Sequence, residues 1–176
     1  MHSFVPVRGL HHFAYRCKDT EETRRFYEDI LGLPLVHVIR EEHVPSTGEY
    51  CPYVHIFFQM TDGSHIAFFD LGDDVRADPS PNTPAWVNHL ALRVDSLDDL
   101  QRAKARLEAE GIEVLGITDH HIIESIYFFD PNGIRLELTT PTVSPEEMTR
   151  LAKKAHQDAR DWALEKQQRR LAGQGT

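Results

Sequence analysis

The chain has 176 residues, 40% of them hydrophobic, and a formal net charge of −9. That length carries one domain with a full core or two small modules sharing one, and the composition is that of a globular protein. The acidic balance, with no basic stripe among aromatics, argues against nucleic-acid binding, and no apolar run approaches the ~20 residues of a membrane span. The N-terminal MHSFVPVRG lacks the charged-then-apolar order of a signal peptide. Cys17 and Cys51 form no CxxC pair, so neither a disulfide framework nor a zinc knuckle is expected. The expectation is a cytoplasmic, reduced protein that works on neither nucleic acid nor membrane.

Residues 8–33 read as strand, cap, helix and glycine stop. HFAYRC alternates; Asp19 caps a helix with Glu22 as its capping-box partner; Phe26, Ile30 and Leu31 share a helical face; Gly32 ends it. Residues 40–53 (REEHVPSTGEYCPY) are long and polar and are read as a substrate lid. HIFFQMTDGSHIAFFD (55–70) is an apolar strand, a tight turn and a returning strand, followed by a Pro/Asp/Asn-rich connecting loop over 72–84. The order then repeats. HLALRV alternates, Ser96 caps with Asp99, Leu97, Leu100, Ala103 and Leu107 recur at helical spacing, Gly111 stops the helix, and SIYFFDPNGIRLELTT (125–140) matches 55–70. Each module is therefore read as β-α-β-β-β, over about residues 7–71 and 85–141, within a single domain spanning 1–141. Ser144-Pro145-Glu146-Glu147 starts a tail helix within 142–176, with Leu151, Ala155, Ala159 and Trp162 on one thin stripe that packs on the domain or on a second subunit; LAGQGT is expected to fray.

Strand residues alternate faces. Phe13, Tyr15 and Cys17 form the core face of the first strand, Leu90, Leu92 and Val94 that of its repeat, and Ile134, Leu136 and Leu138 that of the last. His12, His89 and Glu137 all fall on the other side. Two imidazoles and a carboxylate make a three-point grip that leaves coordination positions open. The chain has 11 histidines, so chance placements are easy. The repeat is what marks these: both histidines begin the first strand of a module. His55 and His65 share this side and are read as polar wall; Arg16, Arg93 and Arg135 have the face an anion site near a metal would need, but are read as surface ion-pair residues.

GLHHFAYRCKDTEETRRFYEDILGLPL, NHLALRVDSLDDL and SIYFFDPNGIRLELTTP together resemble the vicinal oxygen chelate superfamily, which holds glyoxalases, bleomycin-resistance proteins and extradiol dioxygenases. The resemblance covers roughly residues 7–141. It implies an α+β fold in which two βαβββ modules form an open, cupped mixed sheet around a divalent metal, helices outside, with the C-terminal helix added. It implies His12, His89 and Glu137 as the ligands, with His11 the competitor of wrong parity for the first. Ala67, which matches Glu137 in the first module, offers no fourth ligand. Three ligands with adjacent open positions resemble the facial triad of non-haem Fe(II) oxygenases.

The activity so implied is extradiol-type cleavage of a catecholic or similar chelating aromatic by O₂. Fe(II) is the expected metal, with Mn(II) or Zn(II) as alternatives. Extradiol members use a histidine acid–base catalyst and a tyrosine bonded to substrate; Tyr127 and His121 fit, His121 sharing the parity of Tyr127 if no bulge intervenes, and His120 not. The triad alone also suits a metal-dependent lyase, isomerase or thiol transferase, and the fold a non-catalytic binding and resistance protein. Exposed sheet edges lead to an expected homodimer.

Overall fold

The computed structural model describes residues 5–173. The first module is β1 (His12–Cys17), α1 (Thr20–Arg24) continued by a π-helical segment over Arg25–Ile30, β2 (Leu35–His43), β3 (Tyr50–Gln59) and β4 (His65–Asp70). The second is β5 (Leu90–Arg93), α2 (Leu97–Ala109), β6 (Leu115–Asp119), β7 (Ile123–Phe129) and β8 (Arg135–Pro141), and α3 (Pro145–Gly173) follows. The strand orders are β1-β4-β3-β2 and β5-β8-β7-β6. In each sheet the first strand pairs in parallel with the last and the other pairs are antiparallel. The α+β fold and the internal repeat are as the sequence implies. Each module contributes one four-stranded mixed sheet.

The local signals do what their chemistry requires. Asp19 accepts from the Glu22 N–H at 2.7 Å and Ser96 from the Asp99 N–H at 3.1 Å, each satisfying a donor the first helical turn leaves free. Gly32 and Gly111 end the helices at φ 75° and 77°, a left-handed backbone that a Cβ disfavours. The alternation also holds: Cys17, Leu92, Leu136 and Leu138 are buried in the core, with Tyr15, Leu90, Val94 and Ile134 packed against it.

That core is one cluster drawn from both modules. Phe26 and Tyr27 meet Ile56, Phe58, Ile66 and Phe68 of their own sheet and, through Phe128, the other module. Each such side chain contributes about 1.5–3 kcal/mol on burial. Polar contacts set the register between modules: the Lys18 N–H donates to Asn132 Oδ1 at 2.9 Å, the Tyr27 hydroxyl to Asp130 at 3.0 Å, and the Arg106 guanidinium to the carbonyls of Ile30 and Asp29 at 2.8 and 2.7 Å. Asp130 also accepts from the Asn132 and Ile134 N–H groups at 2.9 and 2.7 Å.

Burial outweighs these bonds and raises the Asp130 carboxyl above the ordinary aspartate range. A raised folded pKa contributes stability that is fully present below the unfolded value of about 4 and is lost as pH rises through the folded one. Urea midpoints should therefore fall over that window in the wild type, and Asp130→Asn should flatten that part of the profile. An unchanged profile in the variant would refute the assignment.

Two outer segments differ from their sequence reading. Residues 40–53 are not a loop lid: β2 and β3 run through most of them as a ladder pairing Glu41 with Tyr53 and His43 with Tyr50, and the turn closes with the Val44 N–H on the Glu49 carbonyl at 2.8 Å. The tail is a 29-residue helix, about 44 Å long at 1.5 Å per residue. Leu151 is half-buried, whereas Ala155, Ala159 and Trp162 are exposed, and the Arg169 guanidinium lies 5.0 Å from the Trp162 ring, so most of the stripe faces outward. The helix runs to Gly173, so Leu171 to Gly173 are helical; the rest of the segment expected to fray, 174–176, lies outside the described residues. No helix among the described residues is long and apolar enough to cross a membrane.

Candidate metal centre

The sheet registers superimpose one module on the other. In the second, Glu137 on β8 pairs with Ala91 on β5 and Tyr127 on β7. In the first, Ala67 on β4 pairs with Ala14 on β1 and Phe57 on β3. His12 and His89 each stand two residues before that alanine. The match therefore equates Ala67 with Glu137 and Phe57 with Tyr127: the second module carries polar groups where the first is apolar.

His89 and Glu137 are brought together. Nε2 of His89 lies 2.9 Å from Oε2 of Glu137, and the carboxylate side chain is only 4% exposed. Nδ1 of His89 lies 2.9 Å from the Val87 carbonyl, which can only accept, so Nδ1 carries a proton. A neutral imidazole so held turns its Nε2 lone pair toward the carboxylate, and two acceptors at this distance require a shared proton or a shared cation. Donors bound ~2.1 Å from one ion at a right angle stand ~3 Å apart, so the pair fits a metal. Ser125, fully buried, donates its hydroxyl to Oε1 of Glu137 at 2.5 Å and holds the carboxylate in place.

Tyr127 lines the same face, 6.1 Å from His89 between ring centroids. Its hydroxyl lies 2.6 Å from Nε2 of His120. Burial, seconded by the Glu137 charge, raises the phenol further above its ordinary range, so it is a proton donor at neutral pH. The guanidinium of Arg135 sits 4.0 Å above the Tyr127 ring.

His121 does not pair with Tyr127 as strand parity implies; His120 does. β6 ends at Asp119 and β7 begins at Ile123, so no strand alternation connects His121 to Tyr127. Asp119 accepts from the His121 N–H at 2.6 Å in an Asx turn, His121 takes φ 70°, and this turn sends His121 outward and His120 onto the hydroxyl. Asp before two histidines was the available signal for that turn. Ser125 also escaped the sequence reading, although it shares the parity of Tyr127 and Glu137.

His12 stands apart from this group. Its ring neighbours are His11, His55 and Phe57, at centroid distances of 5.0, 6.2 and 5.7 Å, and His65 approaches His11 at 5.9 Å. His55 stacks on Phe69 at 3.7 Å, bonds the Phe68 carbonyl at 2.9 Å, and has its pKa lowered, chiefly by burial. The bond from Lys18 to Asn132 places the far end of β1 beside the second module, and Tyr15 lines a cavity with His89. His12 lies three residues back along β1, about 10 Å at the rise of a strand. Among the described residues, no three of His, Cys, Asp or Glu converge within one chain. The three candidate residues are thus divided: His12 lies on the face of one sheet, His89 and Glu137 on that of the other.

Residues 9–138 match the family model described as the Glyoxalase/Bleomycin resistance protein/Dioxygenase superfamily. The chain belongs to this superfamily. It is 30% identical over 134 residues to the uncharacterised protein YwkD of Bacillus subtilis, covering 75% of this chain and 96% of that one. Against the biphenyl-2,3-diol 1,2-dioxygenase of Metapseudomonas furukawaii it is 31% identical over 137 residues, 74% of this chain but only 39% of the enzyme. A solved glyoxylase/bleomycin resistance protein/dioxygenase domain from Frankia sp. EAN1pec shares the fold, with a TM-score of 0.63 at 19% identity over 77% of this chain and 99% of that one.

Proposed function

We propose that this superfamily member is a cytoplasmic, metal-dependent ring-cleaving dioxygenase of the extradiol type, acting on a catechol or similar chelating aromatic. The observation that carries this reading is the His120–Tyr127 pair set beside His89 and Glu137, with Ala67 leaving no fourth ligand. The likeness to the biphenyl-2,3-diol dioxygenase supports it. His12, His89 and Glu137 would hold Fe(II), or Mn(II) in its place. When bound, the metal would supply chelation of two adjacent substrate oxygens and an electron path from substrate to O₂.

The chain's own residues supply the rest. Ser125 fixes the orientation of Glu137. The Tyr127 hydroxyl, 2.6 Å from Nε2 of His120, would pass its proton to His120 while accepting the one a catechol must lose; it then donates to the resulting catecholate oxygen, and the proton returns from His120 by the same path as the ring opens.

Because His12 sits apart, we assign the complete site to two copies of the chain, His12 of one facing His89 and Glu137 of the other. A two-fold dimer makes two such sites at once. The exposed stripe of α3 would add contact area. Anaerobic loading with Fe(II), followed by a catechol panel and air, should give stoichiometric oxygen uptake and a yellow ring-opened product. No uptake across a broad panel would sink the oxygenase reading, and a metal-dependent transformation without oxygen would point to a lyase, isomerase or transferase.

A further inference from the structure

A cavity of about 710 Å³ lies between the modules, roofed by the loop at residues 76–88 and bounded by Tyr15 and the β7–β8 turn. His89 forms part of its wall, so it opens beside the candidate metal centre. Arg135 and Arg76 also line it. Arg135 is half-buried: one nitrogen donates to the Trp86 carbonyl at 2.6 Å, and its face rests on Tyr127. Arg76 reaches in from the roof toward Gly133.

Among the described residues, neither arginine forms an ion pair. This is notable in a chain of net charge −9, where Arg24 alone meets Glu21, Glu28 and Asp29. The carboxylates nearby do not compensate. Asp130 is already bonded by Tyr27, Asn132 and Ile134, and Asp78 is exposed. A partly desolvated guanidinium with one backbone acceptor retains free donors suited to a carboxylate.

We propose that Arg135 and Arg76 form an anion subsite, and that the substrate is a chelating aromatic bearing a carboxylate side chain. The identity of the substrate rests on the dioxygenase reading; the subsite does not. Arg135 precedes Glu137 by two residues on the same strand face, about 7 Å along β8. An aromatic ring with a one- or two-carbon acid side chain spans that distance, with its adjacent oxygens toward His89 and Glu137 and its carboxylate toward Arg135. Arg76, on the roof, closes over the same charge.

Calorimetry on the metal-free protein with phenylacetate and with phenylacetamide separates the two ideas. The acid should bind about tenfold or more tightly than the amide, as a charge-assisted pair requires. Arg135→Gln should abolish that preference, and Arg76→Gln, on an exposed loop where folding is not at risk, should reduce it. Equal affinity for acid and amide, no binding of the acid, or a preference untouched in both variants would overturn the subsite. If the preference persists but the Fe(II)-loaded protein consumes no oxygen with 3,4-dihydroxyphenylacetate or any other catechol, the subsite stands and the oxygenase reading fails.

Discussion

Mixing the His12→Ala and Glu137→Ala variants, each inactive alone, should restore roughly a quarter of wild-type activity once subunits exchange. If each site takes His12 from one copy and His89 with Glu137 from the other, a mixed dimer has one site that lost both residues and one that kept all three. Half of the dimers are mixed and half of their sites are whole. The double variant mixed with either single variant should recover nothing, because no pairing then yields an intact set. Ring-cleavage rates before and after exchange, with light scattering to follow the oligomer, decide the matter. If the two single variants stay inactive while the mixed dimer forms, the three residues do not meet across the interface. Each single variant should also lose bound metal, since removing one of three ligands leaves a pair too weak to retain it.

His120→Ala should lower kcat by about 10²–10⁴-fold, the range for losing a positioned acid–base group, while Mn(II) affinity changes little. Tyr127→Phe should act in the same direction without displacing metal, because the ring and its contact with Arg135 survive and only the hydroxyl is removed. His121→Ala should leave kcat within about twofold, since the side chain points away from the hydroxyl and the site loses nothing it uses. A result in which His121→Ala abolishes turnover and His120→Ala does not would reverse the assignment. The pair of measurements is discriminating because the two histidines are adjacent in sequence and differ only in which way the Asx turn at Asp119 aims them.

Much of this architecture is local, and local chemistry is legible. Asp19 and Ser96 cap helices because their side chains satisfy free N–H groups whatever the rest of the chain does. The alternation in HFAYRC, HLALRV and IRLEL assigns faces correctly because a strand exposes every second residue to one side. The same rule fails at His121, where three residues between β6 and β7 break the alternation on which it depends. Length and polarity suggested a lid at 40–53, but this polar segment pairs as strands over most of its length, because hydrogen bonding between β2 and β3 does not require apolar side chains. Ser125 has the right parity, but a buried serine is conspicuous only when Glu137 is seen 2.5 Å away.

The sequence by itself determined the repeated β-α-β-β-β module, the family, and the side of each strand on which His12, His89 and Glu137 lie, all of which follow from periodicity and near-neighbour chemistry. How the modules meet was decided by the tertiary structure. Tyr27 on Asp130, Lys18 on Asn132 and Phe26 on Phe128 are contacts between residues a hundred or more positions apart, which no local pattern encodes. Those contacts pack the two modules through a shared core, keep β1 and β5 in separate sheets, and divide the three residues between two faces.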